Sequence, residues 1–255
     1  MFDVDNACYE IEGFRLLAPL SFKVAEGSVV GLIGPNGSGK STLMKLLAGQ
    51  LTPTDGDVRL DGRPVTDWSR RAFARRVAYL AQELPATEDL TVAELVRFGR
   101  FPWRGLLGRM TAEDNEQIRK AMTLTHTLDL AERGVETLSG GERQRAWLAM
   151  LLAQESRHLL LDEPLAALDV AHQIEVMDLV RRLGRELNLG VVVILHDINI
   201  ASRYCDHIVA LRSGKLQAEG APDKLVQTES LQAIYGVEMQ VMAHPTRDHA
   251  IAIVK

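Results

Sequence analysis

Nine consecutive residues, Gly34-Pro35-Asn36-Gly37-Ser38-Gly39-Lys40-Ser41-Thr42, carry the most legible chemistry in the chain. Their glycines let backbone N–H groups turn inward around phosphate oxygens, and the helix start that follows adds the positive end of its dipole. Lys40 supplies a charge to the β and γ phosphates, and Ser41 offers a hydroxyl to Mg²⁺. A plain Gly-rich turn is the alternative, and it fails once two further clusters are counted. The first is Asp162-Glu163-Pro164, which closes the apolar run His158-Leu159-Leu160-Leu161. In an open α/β sheet the C-terminal strand edge is where ligands bind. Taken alone, an Asp-Glu-Pro turn reads as structure. Behind a phosphate loop, Asp162 can hold the Mg²⁺ shell from a second side and Glu163 can polarise an attacking water. The second cluster is Leu138-Ser139-Gly140-Gly141-Glu142. Ser139 with Glu142 three residues on is a capping box. Two glycines at that helix start also leave N–H groups open to a phosphate, and the two roles are compatible.

Elements that would position these residues follow from periodicity. Short apolar, β-branched runs at Ser28 to Ile33, Val77 to Leu80, Leu159 to Leu161, Val191 to Leu195 and Ile208 to Leu211 predict strands of a covered, mostly parallel sheet. Val170, Ile174, Met177, Val180, Leu183 and Leu187 recur at helical spacing. Alternation of strand and helix is the α/β pattern. Between about Leu84 and Gln154 the patterns are helical, at Val92 to Phe98 and Ala112 to Leu130, with no convincing strand. Asp5 to Glu26 and Asp55 to Leu60 have the short alternation and Gly/Pro turns of an antiparallel sheet. The expected architecture is a single 1–255 domain. A P-loop core with its antiparallel β subdomain takes 1–83 and 155–255, and a helical subdomain takes 84–154.

Composition narrows the class. With 46% hydrophobic and 25% charged residues the 255-residue chain resembles an ordinary globular protein. Its 29 basic against 34 acidic residues give a formal charge of −5, which disfavours a nucleic-acid partner. Cys8 and Cys205, far apart among apolar neighbours, read as two reduced buried thiols. The acidic start Met1-Phe2-Asp3-Val4-Asp5 lacks a secretory leader's cations, and no apolar run approaches the roughly 18 residues of a membrane span. The expectation is a cytoplasmic protein that reaches a membrane through a partner.

The three clusters, in the chain order Gly34 to Thr42, Leu138 to Glu142 and Leu161 to Pro164, resemble the ATP-binding cassette superfamily, whose signature reads Leu-Ser-Gly-Gly-Glu. The resemblance covers nearly the whole chain and implies cofactors ATP and Mg²⁺, with ATP held between two copies in a head-to-tail dimer. It implies that Ser139, Gly140, Gly141 and Glu142 act on the nucleotide of the other copy. It assigns Gln82, after Val77-Ala78-Tyr79-Leu80-Ala81, to the glutamine that contacts Mg²⁺ and water. It assigns Asp169 to the D-loop and His196, after Val191 to Leu195, to the γ-phosphate switch. Metal contacts fall to Ser41, Gln82 and Asp162. Two departures stand out. Leu165-Ala166 replaces the usual Thr-Ser before Ala-Leu-Asp, which removes a hydroxyl that could bond across the dimer. Ile11 occupies the adenine-stacking position; of the flanking Tyr9 and Phe14, Tyr9 is the expected stacker.

A narrower resemblance rests on Trp68 to Leu80, on Phe98-Gly99-Arg100-Phe101-Pro102-Trp103, on Leu195-His196-Asp197-Ile198-Asn199 and on Arg203-Tyr204-Cys205-Asp206. These stretches are similar to ATPase subunits of iron-siderophore importers, especially ferric-hydroxamate ones, with vitamin B12 and haem importers as near relatives. That resemblance implies transmembrane permease partners, an indirect link to a substrate-binding protein, and a place on the cytoplasmic face of the inner membrane. Docking is expected near Gln82 and the Leu90 to Trp103 segment, with Leu95 and Trp103 as exposed anchors. The competing class is a soluble ATPase of the same superfamily acting in iron-sulfur assembly. A non-hydrolysing sensor would lack Glu163 or His196, and both are present. Tyr235, Met239, Met242, His244 and His249 near the end are expected to belong to a closing structural element.

Overall fold

The computed structural model describes every residue except 106, 107, 167, 247 and 248. The chain begins with β1 (Phe2–Ile11), β2 (Phe14–Val24), β3 (Val29–Ile33), α1 (Lys40–Leu47), β4 (Asp55–Leu60) and β5 (Arg63–Pro64). Next come α2 (Arg70–Ala74), β6 (Val77–Leu80), α3 (Val92–Arg97), α4 (Phe101–Arg104), α5 (Ala112–Leu124) and α6 (Gly140–Ala153). Then follow β7 (His158–Leu161), α7 (Val170–Glu186), β8 (Gly190–Ile194), α8 (Ile198–Tyr204), β9 (His207–Arg212) and β10 (Lys215–Gly220). The chain closes with α9 (Pro222–Leu225), α10 (Thr228–Tyr235), β11 (Met239–Ala243) and β12 (Ala250–Val254). Contacts divide it into two compact units, 1–68 with 184–255, and 69–183.

In the first unit, β3 is buried along its whole length and runs parallel to β8 and β9, with Val30 opposite Val192 and His207. A strand covered on both faces can be Val-Val-Gly-Leu-Ile without polar alternation. Gly31 is required by packing: a Cβ there would lie 2.7 Å from Cys205 Sγ. Cys205, like Cys8, is a buried thiol and a spacer, as its apolar surroundings suggest. β10 adds an antiparallel edge beside β9. The expected antiparallel sheet is present in the order β2-β1-β4-β5. The closing element is the antiparallel hairpin β11–β12. Asn199 on α8 holds its outer edge, exchanging two hydrogen bonds with the Ala252 backbone at 2.8 and 3.1 Å.

In the second unit, β6 and β7 pair in parallel, Val77 opposite His158 and Leu80 opposite Leu161. α3 and α5 pack on α6. Three capping boxes start these helices: Thr91 with Glu94, Thr111 with Asp114, and Ser139 with Glu142. The helical pattern from Ala112 stops at Leu124 rather than Leu130. Thr125 and Thr127 turn their hydroxyls back onto the carbonyl of Met122, and His126 between them takes a φ of 56°. The chain therefore leaves the helix and makes a short 3₁₀ turn over Leu128–Leu130. Along α7 the periodic apolar face is buried at Met177, Val180 and Leu183, but Val170 at its start is 76% exposed. Among the described residues no helix is long and apolar enough to cross a membrane.

Candidate active site

The phosphate loop lies in the first unit, between β3 and α1. Gly34 has φ 137°, and a Cβ there would sit 2.0 Å from the carbonyl oxygen of Leu211. Gly39 is the N-cap of α1 at φ 101°, a conformation that L side chains rarely adopt. Having no side chain, it cannot cap the helix, so the first-turn N–H groups remain donors for an anion. Lys40 is buried, its Nζ donating to the carbonyls of Gly34 at 2.8 Å and Pro35 at 3.0 Å. The ammonium is thereby tied to the two residues that open the loop. Pro35, Asn36, Gly37, Ser38, Ser41 and Thr42 complete the turn and first helical residues as the spacing predicts.

Two other expected residues lie in this unit. His196 is exposed just beyond β8, where Leu195 N–H still bonds the carbonyl of Leu32 at 3.1 Å. Asp197 caps α8 by accepting from the N–H groups of Asn199 and Ile200. Burial, and then the charge of Asp197, push the nearby Tyr235 hydroxyl up to about 12. Tyr9 is half-buried opposite Leu17 in the β1–β2 ladder. Exposed apolar surface lies further along the same hairpin, where Ile11 faces Phe14, 73% exposed. Leu16 beside them is the link to the loop, its carbonyl oxygen 3.2 Å from where a Gly39 Cβ would be.

The second unit holds Gln82, Ser139 to Glu142, Asp162, Glu163 and Asp169. Asp162 is buried at the end of β7, with its N–H bonded to Leu80 O at 2.9 Å and its carboxylate 3.3 Å from the Tyr79 hydroxyl. Burial, then the charge of Asp162 and its hydrogen bond, raise Tyr79 to about 12. Tyr79 therefore stays a donor throughout the physiological range and fixes the Asp162 carboxylate. Sequence reading missed it; its position three residues before Gln82, on the strand beside β7, is the signal that could have found it. Glu163 takes φ 52°, a left-handed conformation costly for a residue with a side chain. The structure brings its carboxylate to Gln82, whose Nε2 donates at 2.9 Å.

At the signature, Ser139 Oγ accepts from Glu142 N–H at 3.3 Å while Ser139 N–H donates to Glu142 Oε2 at 2.8 Å. Hydrogen bonds to the carboxylate from the Ser139 backbone N–H and then from the Ser139 side chain hold the Glu142 carboxyl below its usual range. Ser139 and Gly140 are exposed at the helix start and Gly141 is buried beneath them. Asp169 caps α7, accepting from His172 N–H at 2.9 Å and from His172 Nδ1 at 2.7 Å, which keeps the carboxyl ionised.

The two docking anchors expected from sequence are corrected. Leu95 is 2% exposed and belongs to the core under α6. Trp103 is half-buried: its Nε1 donates to Gln154 O at 2.8 Å, and Arg75 and Arg100 lie over its ring at 4.7 and 5.4 Å. The apolar residues left outside are Phe98, 56% exposed, and Phe101, 54% exposed. With Leu90, Glu94, Arg97 and Met110 they line a groove of about 350 Å³.

A parallel α/β core, a phosphate loop opening a helix, and an acidic pair at a strand end define a P-loop nucleotide triphosphatase. The additional capped helix carrying Ser139-Gly140-Gly141-Glu142 narrows that class. Residues 17–166, more than half of the chain, match the family described as ABC transporter. The chain is 44% identical over 226 residues to the ferric enterobactin transport ATP-binding protein FepC of Escherichia coli (strain K12), covering 89% of this chain and 83% of that one. It is 44% identical over 231 residues to the hemin import ATP-binding protein HmuV of Nocardia farcinica, covering 91% and 79%. A solved dimeric structure of MJ0796, described as a bacterial ABC transporter cassette, superposes with a TM-score of 0.74 at 27% identity, covering 87% and 99%. The chain belongs to the ABC transporter family and is an ATPase of that family.

Proposed function

We propose that the chain is the ATP-hydrolysing subunit of a membrane importer for a ferric siderophore, working as a pair of copies seated on a permease. The observation that carries hydrolysis is the strained Glu163, whose carboxylate is held by Gln82 at 2.9 Å. A carboxylate so oriented can accept a proton from water, and the amide that steadies it can also meet that water. Lys40 and the first-turn N–H groups of α1 take the β and γ phosphates; His196, exposed at its strand end, meets the γ-phosphate. Ser41, Gln82 and Asp162 offer a hydroxyl, an amide and a carboxylate, the hard oxygen set that suits Mg²⁺. Mg²⁺ would neutralise charge on the β and γ oxygens. Ser139 and the N–H groups of Gly140 and Gly141 complete the site on the nucleotide of the other copy. The adenine ring is assigned to the Tyr9–Phe14 stretch of the first hairpin. Tyr9 remains the assigned stacker, half-buried, with the exposed Phe14 as the alternative.

Import is supported by relatives named for ferric enterobactin transport and hemin import, each 44% identical. Hemin is accordingly the second reading of the cargo, and ferric hydroxamates are one class within the first. The groove at Phe98 and Phe101, lined also by Glu94, Arg97, Arg100 and Arg104, is read as the seat of a short cytoplasmic permease helix. Such a seat holds the chain on the cytoplasmic face of the membrane. The test is uptake by membranes carrying this chain with its genomically adjacent permease and binding protein, supplied with ferric hydroxamate, ferric enterobactin or hemin. ATP-dependent uptake of a ferric siderophore supports the proposal, and uptake of hemin alone selects the second reading. Activation by a soluble iron-sulfur scaffold with no permease response would overturn import.

A further inference from the structure

The two glycines of the signature differ from those of the phosphate loop. Neither Gly140 nor Gly141 has a positive φ; both lie in the first turn of α6, where any L residue fits the backbone. Space is what forbids a side chain at Gly141. A Cβ there would lie 2.1 Å from Cδ2 of His172 and 2.9 Å from its Cγ. At Gly140 a Cβ would come 3.1 Å from Leu168 Cδ2. The signature helix start is therefore a floor on which the D-loop and the first turn of α7 rest.

His172 is also the residue that fixes the D-loop. It stands at the third position of α7, and both its backbone N–H and its ring Nδ1 reach the same Asp169 oxygen, at 2.9 and 2.7 Å. With the Asp169 carboxyl held ionised, Nδ1 carries the proton and donates. Asp169 is thus a side-chain cap of α7, and the His172 ring bonds the capping carboxylate itself rather than the backbone N–H that a capping-box Glu or Gln would take. Gln173 reinforces it, its N–H bonding Asp169 O at 2.9 Å and its Nε2 bonding Leu168 O at 3.0 Å. The Nδ1 edge of the imidazole thus bonds the D-loop aspartate while its Cδ2 edge fills the space where a Gly141 side chain would stand.

We infer that His172 is a positioning residue: it locks the Asp169 loop to the Ser139–Gly141 helix start, so that both reach the nucleotide of the second copy as one rigid piece. The inference rests on the reading that this helix start acts on that nucleotide. It also supplies what the missing hydroxyls of Leu165-Ala166 leave undone, because the D-loop is held from within its own copy.

The test uses the full chain with Mg·ATP. His172→Ala should lower kcat about tenfold, the scale of coupling between groups in contact, with KM and the nucleotide affinity of the lone subunit unchanged. Gly141→Ala should be worse, since its new methyl meets the ring. The double variant Gly141→Ala with His172→Ala should regain activity to the level of His172→Ala alone. Wild-type kcat in His172→Ala, or a double variant no more active than Gly141→Ala, would overturn the inference. Thermal unfolding of each variant guards against loss of fold, and His172→Ser, which also removes the ring from Asp169 and Gly141, carries the same comparisons if His172→Ala fails to fold. Ser139→Arg separates the two levels. If it hydrolyses ATP normally, the reading of the signature falls. If it is inactive while His172→Ala is fully active, only the role of His172 falls.

Discussion

The phosphate loop and the Phe98–Arg104 segment are both short, glycine-containing and cationic, but they use these residues in opposite ways. In the loop, glycines at φ 137°, 74° and 101° serve the backbone, and Lys40 is held by carbonyls five and six residues away. In the segment, Gly99 is small because a Cβ would lie 2.2 Å from Met150 O, and Arg100 is buried among distant partners. Its guanidinium donates to Asp114 at 2.9 Å, to Ala153 O at 2.8 Å and to Glu155 at 2.5 Å. Arg71 of α2 and Arg75 just beyond it reach the carbonyl of Pro102 at 2.8 and 2.9 Å. Two of the stretches that resemble siderophore-importer ATPases are thus bonded to each other. The difference teaches that the cation of the first region is held by its own loop, where the proposed function gives it a phosphate to meet, whereas in the second the cations tie distant segments of the fold together.

Substitution should separate the two regions. Lys40→Ala is expected to weaken nucleotide binding by about 100-fold or more, because charge-assisted bonds to the triphosphate are lost. Its melting temperature should stay within a few degrees of wild type; near-normal affinity in a fluorescent-nucleotide titration would remove the loop assignment. Asp114→Ala should do the reverse, costing about 3–5 kcal/mol of stability by leaving Arg100 and Arg104 without their shared carboxylate. Nucleotide affinity of the protein that remains folded should be unchanged, as chemical denaturation and titration together would show.

Proton linkage gives the same contrast more gently. Burial alone would raise the Asp114 carboxyl, but hydrogen bonds from Arg104, Thr111 and Arg100 outweigh it and hold the group well below the carboxylate range. Because the folded value is the lower one, this stabilisation is complete above the unfolded value of about 3.9 and is lost as pH falls below it. Unfolding midpoints from pH 6 down to pH 2 should fall less steeply in Asp114→Asn than in wild type, and an identical slope would contradict the assignment. The smallest effect is expected at the exposed aromatics. Phe98→Ser with Phe101→Ser should lower permease-stimulated hydrolysis severalfold while leaving the free subunit's rate and stability unchanged. Full stimulation in that variant would move the docking seat elsewhere.

The contrast also explains what the sequence made legible. Strands, the antiparallel subdomain and the acidic pair follow from local rules, since β-branched runs, turn residues and phosphate chemistry are written within a few positions. The Ser139 capping box was readable for the same reason. Leu95 and Trp103 were not, because whether an apolar residue anchors a core or a partner depends on segments 50 or more residues away, as with Trp103 and Gln154. Tyr79 and His172 were missed for a related reason. Each acts by orienting a second residue, and only the fold brings Tyr79 to Asp162 or His172 to Gly141. Val170 kept the helical period of its neighbours, yet it stands at the exposed start of α7, where the period no longer faces a core.

The central claim is that two copies close on ATP and that Glu163 then drives hydrolysis. Glu163→Gln keeps an amide able to orient water but removes the proton acceptor, so hydrolysis should slow by about 10²- to 10⁴-fold. ATP should then trap the closed pair. Size-exclusion chromatography of Glu163→Gln with Mg·ATP should show a dimer that returns to monomer with ADP and that fails to form when Ser139→Arg is added. A monomer under Mg·ATP, or a dimer indifferent to Ser139→Arg, would contradict the account.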